Sequence, residues 1–180
     1  MPGTLTPNQM YDNECNVLKG WPHMHAVDKS APIAAGENIV AGSVCYLDSN
    51  AEFRSGLADN TQGHFAWPNS SDFDVDGDVG NVQKQILMGI PSITGYELWT
   101  TSYDSTDTYV PNDYLTAWDS QLGGYSADKK GLVRKGNPYE HTLIGQVSNG
   151  TSTNDYGKSI LTLWCYHLPI DASAPSSPEA

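Results

Sequence analysis

Short apolar runs separated by turn residues fill the middle of the chain. Ile39-Val40 precedes Ala41-Gly42, and Ser43-Val44-Cys45-Tyr46-Leu47 runs into Asp48-Ser49-Asn50. Later runs are Gln85-Ile86-Leu87-Met88, Tyr96 to Thr101, Tyr114 to Trp118, His141 to Ile144 and Ser159 to Tyr166. Apolar runs of this length between Gly, Pro, Asn, Asp and Ser read as strands. Gly, Pro, Ser, Thr and Asn interrupt the chain too often for long amphipathic helices. The pattern therefore predicts an all-β fold, a compact barrel or jelly-roll-like sandwich of short strands with long loops. Residues 1–30 are polar and proline-bearing without a clear period, and read as an extended N-terminal arm. Residues 31–170 form the expected β-rich domain, and 171–180 a tail that is flexible by composition.

Four short elements recur in the same order in both halves. Ile39 to Val44 matches Tyr109 to Tyr114, 70 positions further on. Phe53-Arg54-Ser55-Gly56 matches Val133-Arg134-Lys135-Gly136. Leu87 to Ser92 is set against Leu143 to Ser148, and Glu97-Leu98-Trp99 against Thr162-Leu163-Trp164. The order predicts two similar β-units, about 31–101 and 102–170, with loops of unequal length. The competing expectation is that turn-strand-turn grammar recurs in any β protein.

Charge narrows the partners. Nine Lys and Arg stand against 21 Asp and Glu, a net charge of −12 over 180 residues. Such a chain has no electrostatic footprint for nucleic acid or an anionic membrane. Its low charged fraction, with ten Tyr and five Trp, argues for order over most of the length. No apolar run approaches the roughly 20 residues that a bilayer span needs. Met1 to Gly20 carries no basic segment leading into an apolar run, so no secretory signal is read there. Cys15, Cys45 and Cys165 are odd in number and widely spaced, which points to reduced thiols and synthesis in a cytoplasm. Cys45 and Cys165 lie in strand-like runs, where a thiol packs as a small hydrophobe.

The sharpest local motif is Asp72-Phe73-Asp74-Val75-Asp76-Gly77-Asp78-Val79. Its acids at alternate positions followed by Gly match the opening of a Ca²⁺ loop, because Ca²⁺ needs six to eight oxygens converging on a sharp turn. The twelfth loop position is Gln83 rather than a bidentate Glu, and the flanks are not helical. An EF-hand is thereby set aside. Two readings stay open, a bare cation loop of Asp72, Asp74, Asp76 and Asp78 and an acidic solvated turn. His23 and His25 are spaced to share a strand face but have no third ligand nearby. No nucleophile elbow, zinc-helix, P-loop or dinucleotide motif is present, and the expectation is a protein that is not an enzyme and needs no cofactor. Trp67 and Trp118 are candidate sugar-stacking platforms, whereas Trp99 and Trp164 fit a core or an interface.

The stretch Pro22-His23-Met24-His25-Ala26-Val27-Asp28 and the stretch Ala35 to Asp48 together resemble the head decoration (capsid cement) proteins of tailed bacteriophages. Tyr109 to Ala117, Leu143 to Ser148 and Leu161 to Trp164 resemble the later strands of that family. The likeness covers about residues 20–168 in outline, and leaves the Asp72–Asp78 loop unaccounted for. It implies a structural protein on the outer surface of a virion, bound to the major capsid protein and stabilising capsomer contacts, often as a homotrimer. Tyr11, Trp21, Pro22 and Met24 would anchor the arm as a strap. The alternative from another class is a carbohydrate-binding β-domain of a phage tail or fibre, with Ca²⁺ at the Asp loop.

Overall fold

The computed structural model describes residues 15–19, 29–37, 39–67, 78–79, 86–91, 96–119, 129–155 and 157–169. Among them run the strands β1 (Cys15–Lys19), β2 (Lys29–Pro32), β3 (Ile39–Val40), β4 (Val44–Leu47), β5 (Phe53–Ser55), β6 (Gly63–Trp67) and β7 (Asp78–Val79). They continue as β8 (Ile86–Pro91), β9 (Tyr96–Thr100), β10 (Tyr114–Ala117), β11 (Val133–Lys135), β12 (Leu143–Thr153) and β13 (Ser159–Leu168). One antiparallel sheet has the order β2-β8-β6-β4-β5 and the other β1-β9-β13-β12-β10-β11, with β3 and β7 paired in a separate ribbon. The fold is all-β, and the two sheets pack in a sandwich-like arrangement in which neither closes into a barrel. Of the two expected architectures, the sandwich is the one built.

Local chemistry sets the turns. Asp48 Oδ1 accepts the Asn50 and Glu52 amides at 2.8 and 3.1 Å, which folds the β4–β5 hairpin. Asn154 Oδ1 accepts the Lys158 amide at 2.9 Å and closes the β12–β13 hairpin the same way. Asp and Asn suit these corners because their short side chains bond the backbone a few residues on.

The two sheets share one hydrogen-bonding plan. Without β1, the second sheet reads β9-β13-β12-β10-β11, strand for strand the order of the first. In the first, Cys45 opposes Ser55, Tyr46 opposes Arg54 and Leu47 opposes Phe53. In the second, Leu115 opposes Lys135, Thr116 opposes Arg134 and Ala117 opposes Val133. The Ser43 amide donates to Val40 C=O at 3.0 Å and the Asp113 amide to Val110 C=O at 3.1 Å. The preceding Gly42 and Asn112 have φ of 80° and 74°, as the third position of a type II turn requires. Gly42 donates to Ala66 C=O at 2.8 Å and Asn112 to Val147 C=O at 2.9 Å. Gly56 donates to Val44 C=O, and Gly136 to Tyr114 C=O, both at 2.8 Å. Side chains repeat too, since Glu37 Oε2 accepts the Ser55 amide and Asp107 Oδ2 the Lys135 amide. Single parallel bridges join Ile33 to Phe53 and Tyr103 to Val133.

Two of the four sequence correspondences thus fall on matching places, the turn before β4 and β10 and the strands β5 and β11. The other two do not. β8 occupies the place of β13 and β6 that of β12, so Leu87–Ser92 has no counterpart in Leu143–Ser148. β9 and β13 are hydrogen-bonded neighbours, with Leu98 opposite Leu163. Similar letters misled there because any buried strand draws on the same few residues, whereas ladder register is set by loops of differing length. The sheets also part between Pro91 and Tyr96 rather than near residue 101, and β1, inside the expected arm, is an edge strand of the second sheet.

Strands β4, β5 and β6 contribute to a core on each face of the first sheet. Cys45, Phe53 and Ala66 join Ile39 and Ala41 in a small core, while Val44, Phe65 and Leu57 enter the larger core of the second sheet with Tyr96, Leu98, Leu115, Val133 and Leu163. The seam carries polar contacts as well. Val44 N donates to Gly131 C=O at 2.8 Å, Thr100 Oγ1 to Gly42 C=O at 2.7 Å and Ser102 Oγ to Ala41 C=O at 2.9 Å.

Ala51 and Gly131 stand at the same turn position in the two units, with φ of 58° and 81°. Ala51 is exposed. A Cβ on Gly131 would lie 2.8 Å from Ser55 Oγ and 2.9 Å from Val44 O. Gly131→Ala should therefore cost about 2–4 kcal/mol, from left-handed backbone strain plus crowding of the seam. Ala51→Gly should stay within about 1 kcal/mol of the parent. Thermal unfolding of the two variants checks the contrast.

Candidate interaction surface

Residues directly opposed in an antiparallel ladder lie on one face of the sheet. Tyr114 opposes Gln146, Gln146 opposes Trp164 and Trp164 opposes Glu97, so a single row crosses four strands of the second sheet. Their sequence neighbours Leu115, Leu163 and Cys165 point into the core, which turns the row outward. Tyr114 is 39% exposed and Trp164 43%. Gln146 Nε2 donates to Asn112 C=O at 3.3 Å, and the buried Glu97 closes the row, its Oε1 accepting the Ser148 hydroxyl. Burial pushes the Tyr166 phenol up, the nearby Tyr114 adds to the shift, and the Tyr166 hydroxyl is buried without a hydrogen-bond partner. Leu168 and Val110 are also exposed. The result is a row of aromatic and polar side chains, exposed at Tyr114 and Trp164 and ending on the buried Glu97.

Four described basic side chains are paired with carboxylates. Lys129 pairs with Asp104 at 2.9 Å, Lys130 with Glu37 at 2.9 Å, Lys135 with Asp113 at 2.8 Å and Arg54 with Asp48 at 2.7 Å. The Arg134 guanidinium lies 4.0 Å from the centre of the Trp118 ring. Burial pushes the Asp104 carboxyl up, but bonds from Thr106, Lys129 and Trp118 outweigh it and hold the group well below the usual carboxylate range. These pairs tie loops to strands.

A cleft of about 20 Å³, room for one water, lies between Leu57, Asp59, Thr116, Ala117, Asp119, His141 and Thr142. Burial, then the Arg134 charge, pulls His141 down from its ordinary value, and its Nδ1 accepts the Asn137 amide at 2.9 Å. His64 is buried edge-on to Phe53, with ring centres 5.4 Å apart. Cys15, Cys45 and Cys165 are buried free thiols, and burial raises Cys45 and Cys165 far enough to keep them protonated.

Tyr11, Trp21, Pro22 and Met24, the expected arm anchors, lie outside the described residues, as do His23, His25, Asp72, Asp74 and Asp76. Asp78 opens β7 opposite Val40. Among the described residues no three His, Cys, Asp or Glu side chains are grouped to hold a metal ion. Trp118 is no sugar platform. It is 8% exposed and its Nε1 donates to Asp104 Oδ2 at 2.7 Å. The row Tyr114–Gln146–Trp164 went unrecognised in the sequence because Ile160 to Tyr166, apart from Thr162, is apolar or aromatic on both faces, which hides the alternation. Comparison of the chain with protein-family models, curated sequences and solved structures gave no match.

Proposed function

We propose that this chain is a non-catalytic structural protein that decorates the outside of a phage head and stabilises contacts between capsomers of the major capsid protein. The observation that carries the reading is the repeat. Within Ala35 to Asp48, one of the stretches that carry the resemblance to decoration proteins, Val40 to Leu47 fold as a type II turn leading into β4, and the same turn and strand are built again at Val110 to Ala117. A chain with two like units suits a surface that itself repeats, because neighbouring units meet neighbouring copies of the same ground. The acidic surface suits the outside of a DNA-filled shell better than its lining. β1 fixes the root of the arm as an added edge strand, and the arm then works as the strap, with Tyr11, Trp21, Pro22 and Met24 on the shell.

The test is to mix purified phage heads lacking decoration with the full chain and with a chain lacking residues 2–12, which stops short of β1, and to count bound copies by quantitative mass spectrometry. The full chain should bind in a fixed ratio to the major capsid protein, and the truncated chain at least tenfold more weakly while unfolding at an unchanged temperature. Equal binding by the two removes Tyr11 and the rest of residues 2–12 from the strap. No binding by the full chain overturns the reading, and a few copies per particle moves the protein to the tail or fibre, where the carbohydrate reading applies.

A further inference from the structure

The β12–β13 hairpin runs past the strands beside it. On its β12 side, β10 pairs no further than Gln146, and main-chain bonds then join Val147 to Asn112 and Asp113, both at 2.9 Å. The β9–β10 connection covers the strand as far as Gly150, where an added Cβ would stand 3.3 Å from the Tyr109 carbonyl oxygen. Asn154 N–H donates to Lys158 C=O at 2.9 Å, which makes the two a hydrogen-bonded pair. In an antiparallel ladder such pairs alternate with pairs whose groups point away from each other. Thr153 opposes Ser159 and Thr151 opposes Leu161, so Thr151 and Thr153 turn N–H and C=O outward, away from β13. Among the described residues no main-chain group bonds them there. Thr151, Ser152 and Thr153 are all exposed.

The outer strands of both sheets are guarded against pairing with another chain. On β5, Phe53 C=O takes the Ala34 amide at 3.0 Å and Glu37 Oε2 takes the Ser55 amide at 3.2 Å. On β11, Val133 C=O takes the Asp104 amide at 2.8 Å and Asp107 Oδ2 the Lys135 amide at 3.3 Å. β2 carries Lys29 and Pro32, and β1 carries Lys19 at an irregular step in its ladder. On the β13 side of the hairpin the Tyr103 hydroxyl bonds that of Ser159. Thr151 to Thr153 has neither Lys nor Pro, no described segment is bonded along it, and the β12 bulge lies before it, between Val147 and Gly150.

We propose that this free edge pairs antiparallel with the same edge of a second copy of the chain. Centred on Ser152, the pairing sets Thr151 of each copy opposite Thr153 of the other, and their outward groups exchange four main-chain hydrogen bonds. One patch serves both partners, so the contact is two-fold and closes at a dimer. The segment is its own complement in this register, and cross-strand Thr pairs stabilise a ladder. Charge also favours a copy of this chain as the occupant. From Leu143 to Trp164 the charged residues are Asp155 and Lys158, of opposite sign, so the hairpin is neutral on a chain of net charge −12 and two acidic copies can meet there. Four hydrogen bonds with little apolar area make a weak dimer. The inference stands apart from the capsid reading and requires no particle.

Cysteine pairing in the full-length protein tests the register. The two Ser152 residues would face each other with Cα atoms about 4.5 Å apart, within disulfide reach. The two Thr153 residues lie beyond that reach, because each faces Thr151. The native Cys15, Cys45 and Cys165 are buried. In glutathione disulfide, Ser152→Cys should form a crosslinked dimer at least tenfold faster than Thr153→Cys, read on a non-reducing gel. Thr153→Pro removes an outward N–H and no bond within the hairpin, so Ser152→Cys/Thr153→Pro should lose that advantage. If the double variant melts below Ser152→Cys, Thr151→Pro takes the place of Thr153→Pro. The mass of the wild type at sedimentation equilibrium should rise with concentration between micromolar and millimolar protein. Equal or reversed crosslinking rates at the two positions overturn the inference, as does an undiminished rate with proline. A wild type that stays monomeric over the whole range overturns it too, and leaves the edge to a strand of another protein.

Discussion

Replacing Asp104 by alanine should remove about 3–5 kcal/mol of stability, enough to threaten the second unit. The carboxylate is buried and receives four donors. Oδ1 takes the Thr106 amide at 3.0 Å and its hydroxyl at 2.6 Å, and Oδ2 takes Trp118 Nε1 at 2.7 Å and Lys129 Nζ at 2.9 Å. Its main chain is bonded as well, with N–H to Val133 C=O at 2.8 Å and C=O from the Tyr109 hydroxyl at 2.9 Å. The residue thus joins the β9–β10 connection, the end of β10 and the β11 hairpin at one point. Alanine leaves the indole N–H and the ammonium facing an emptied site, and unmatched buried donors cost more than the bonds themselves contributed. The same group gives the chain an acid limb. Its folded pKa is held well below the ordinary value near about 4, so its contribution is full above that value and is lost as pH falls toward the folded one. Asp104→Asn should flatten that limb. Urea unfolding at neutral pH and at about pH 3 measures both effects, and an unchanged acid limb in Asp104→Asn would assign the pH dependence elsewhere.

The strand content was legible in the sequence because the turns carry their own chemistry. Asp48, Gly42, Asn112 and Asn154 each stand where the backbone needs a side-chain acceptor or a positive φ, and each marks a turn in the letters. The repeat was legible for the same reason at Ile39–Val44 and Tyr109–Tyr114, where turn and strand are continuous. It was illegible across the loops. The hairpin after Trp118 is ten residues longer than the one after Asp48, which shifts every later correspondence. Burial was the least legible property. His64, Ser43 and Ser55 are polar and buried, because β4, β5 and β6 contribute to a core on each face. Trp118 and Trp164 look alike in sequence, yet Trp118 is buried among Asp104, Lys129 and Arg134 while Trp164 is exposed, a difference set by side chains more than ten residues away along the chain.

That seam is what Phe65→Ala would break, at a cost of about 3–5 kcal/mol and a drop of about 10 °C in unfolding temperature. Phe65 is fully buried and projects from β6 into a core built mostly by the second sheet, beside Val44 and Leu57. Its removal leaves a void between two sheets that are each pinned elsewhere, by Val44 to Gly131, Thr100 to Gly42 and Lys130 to Glu37, so they cannot close over it. The matching residue of the second unit, Gln146, occupies the same ladder position opposite Tyr114 and is half-buried on an open face. Gln146→Ala should accordingly change stability by no more than about 0.5 kcal/mol. Equal costs at the two positions would mean that the two faces are equally covered. A large cost at Phe65 beside a small one at Gln146 follows from one strand plan placed in two environments.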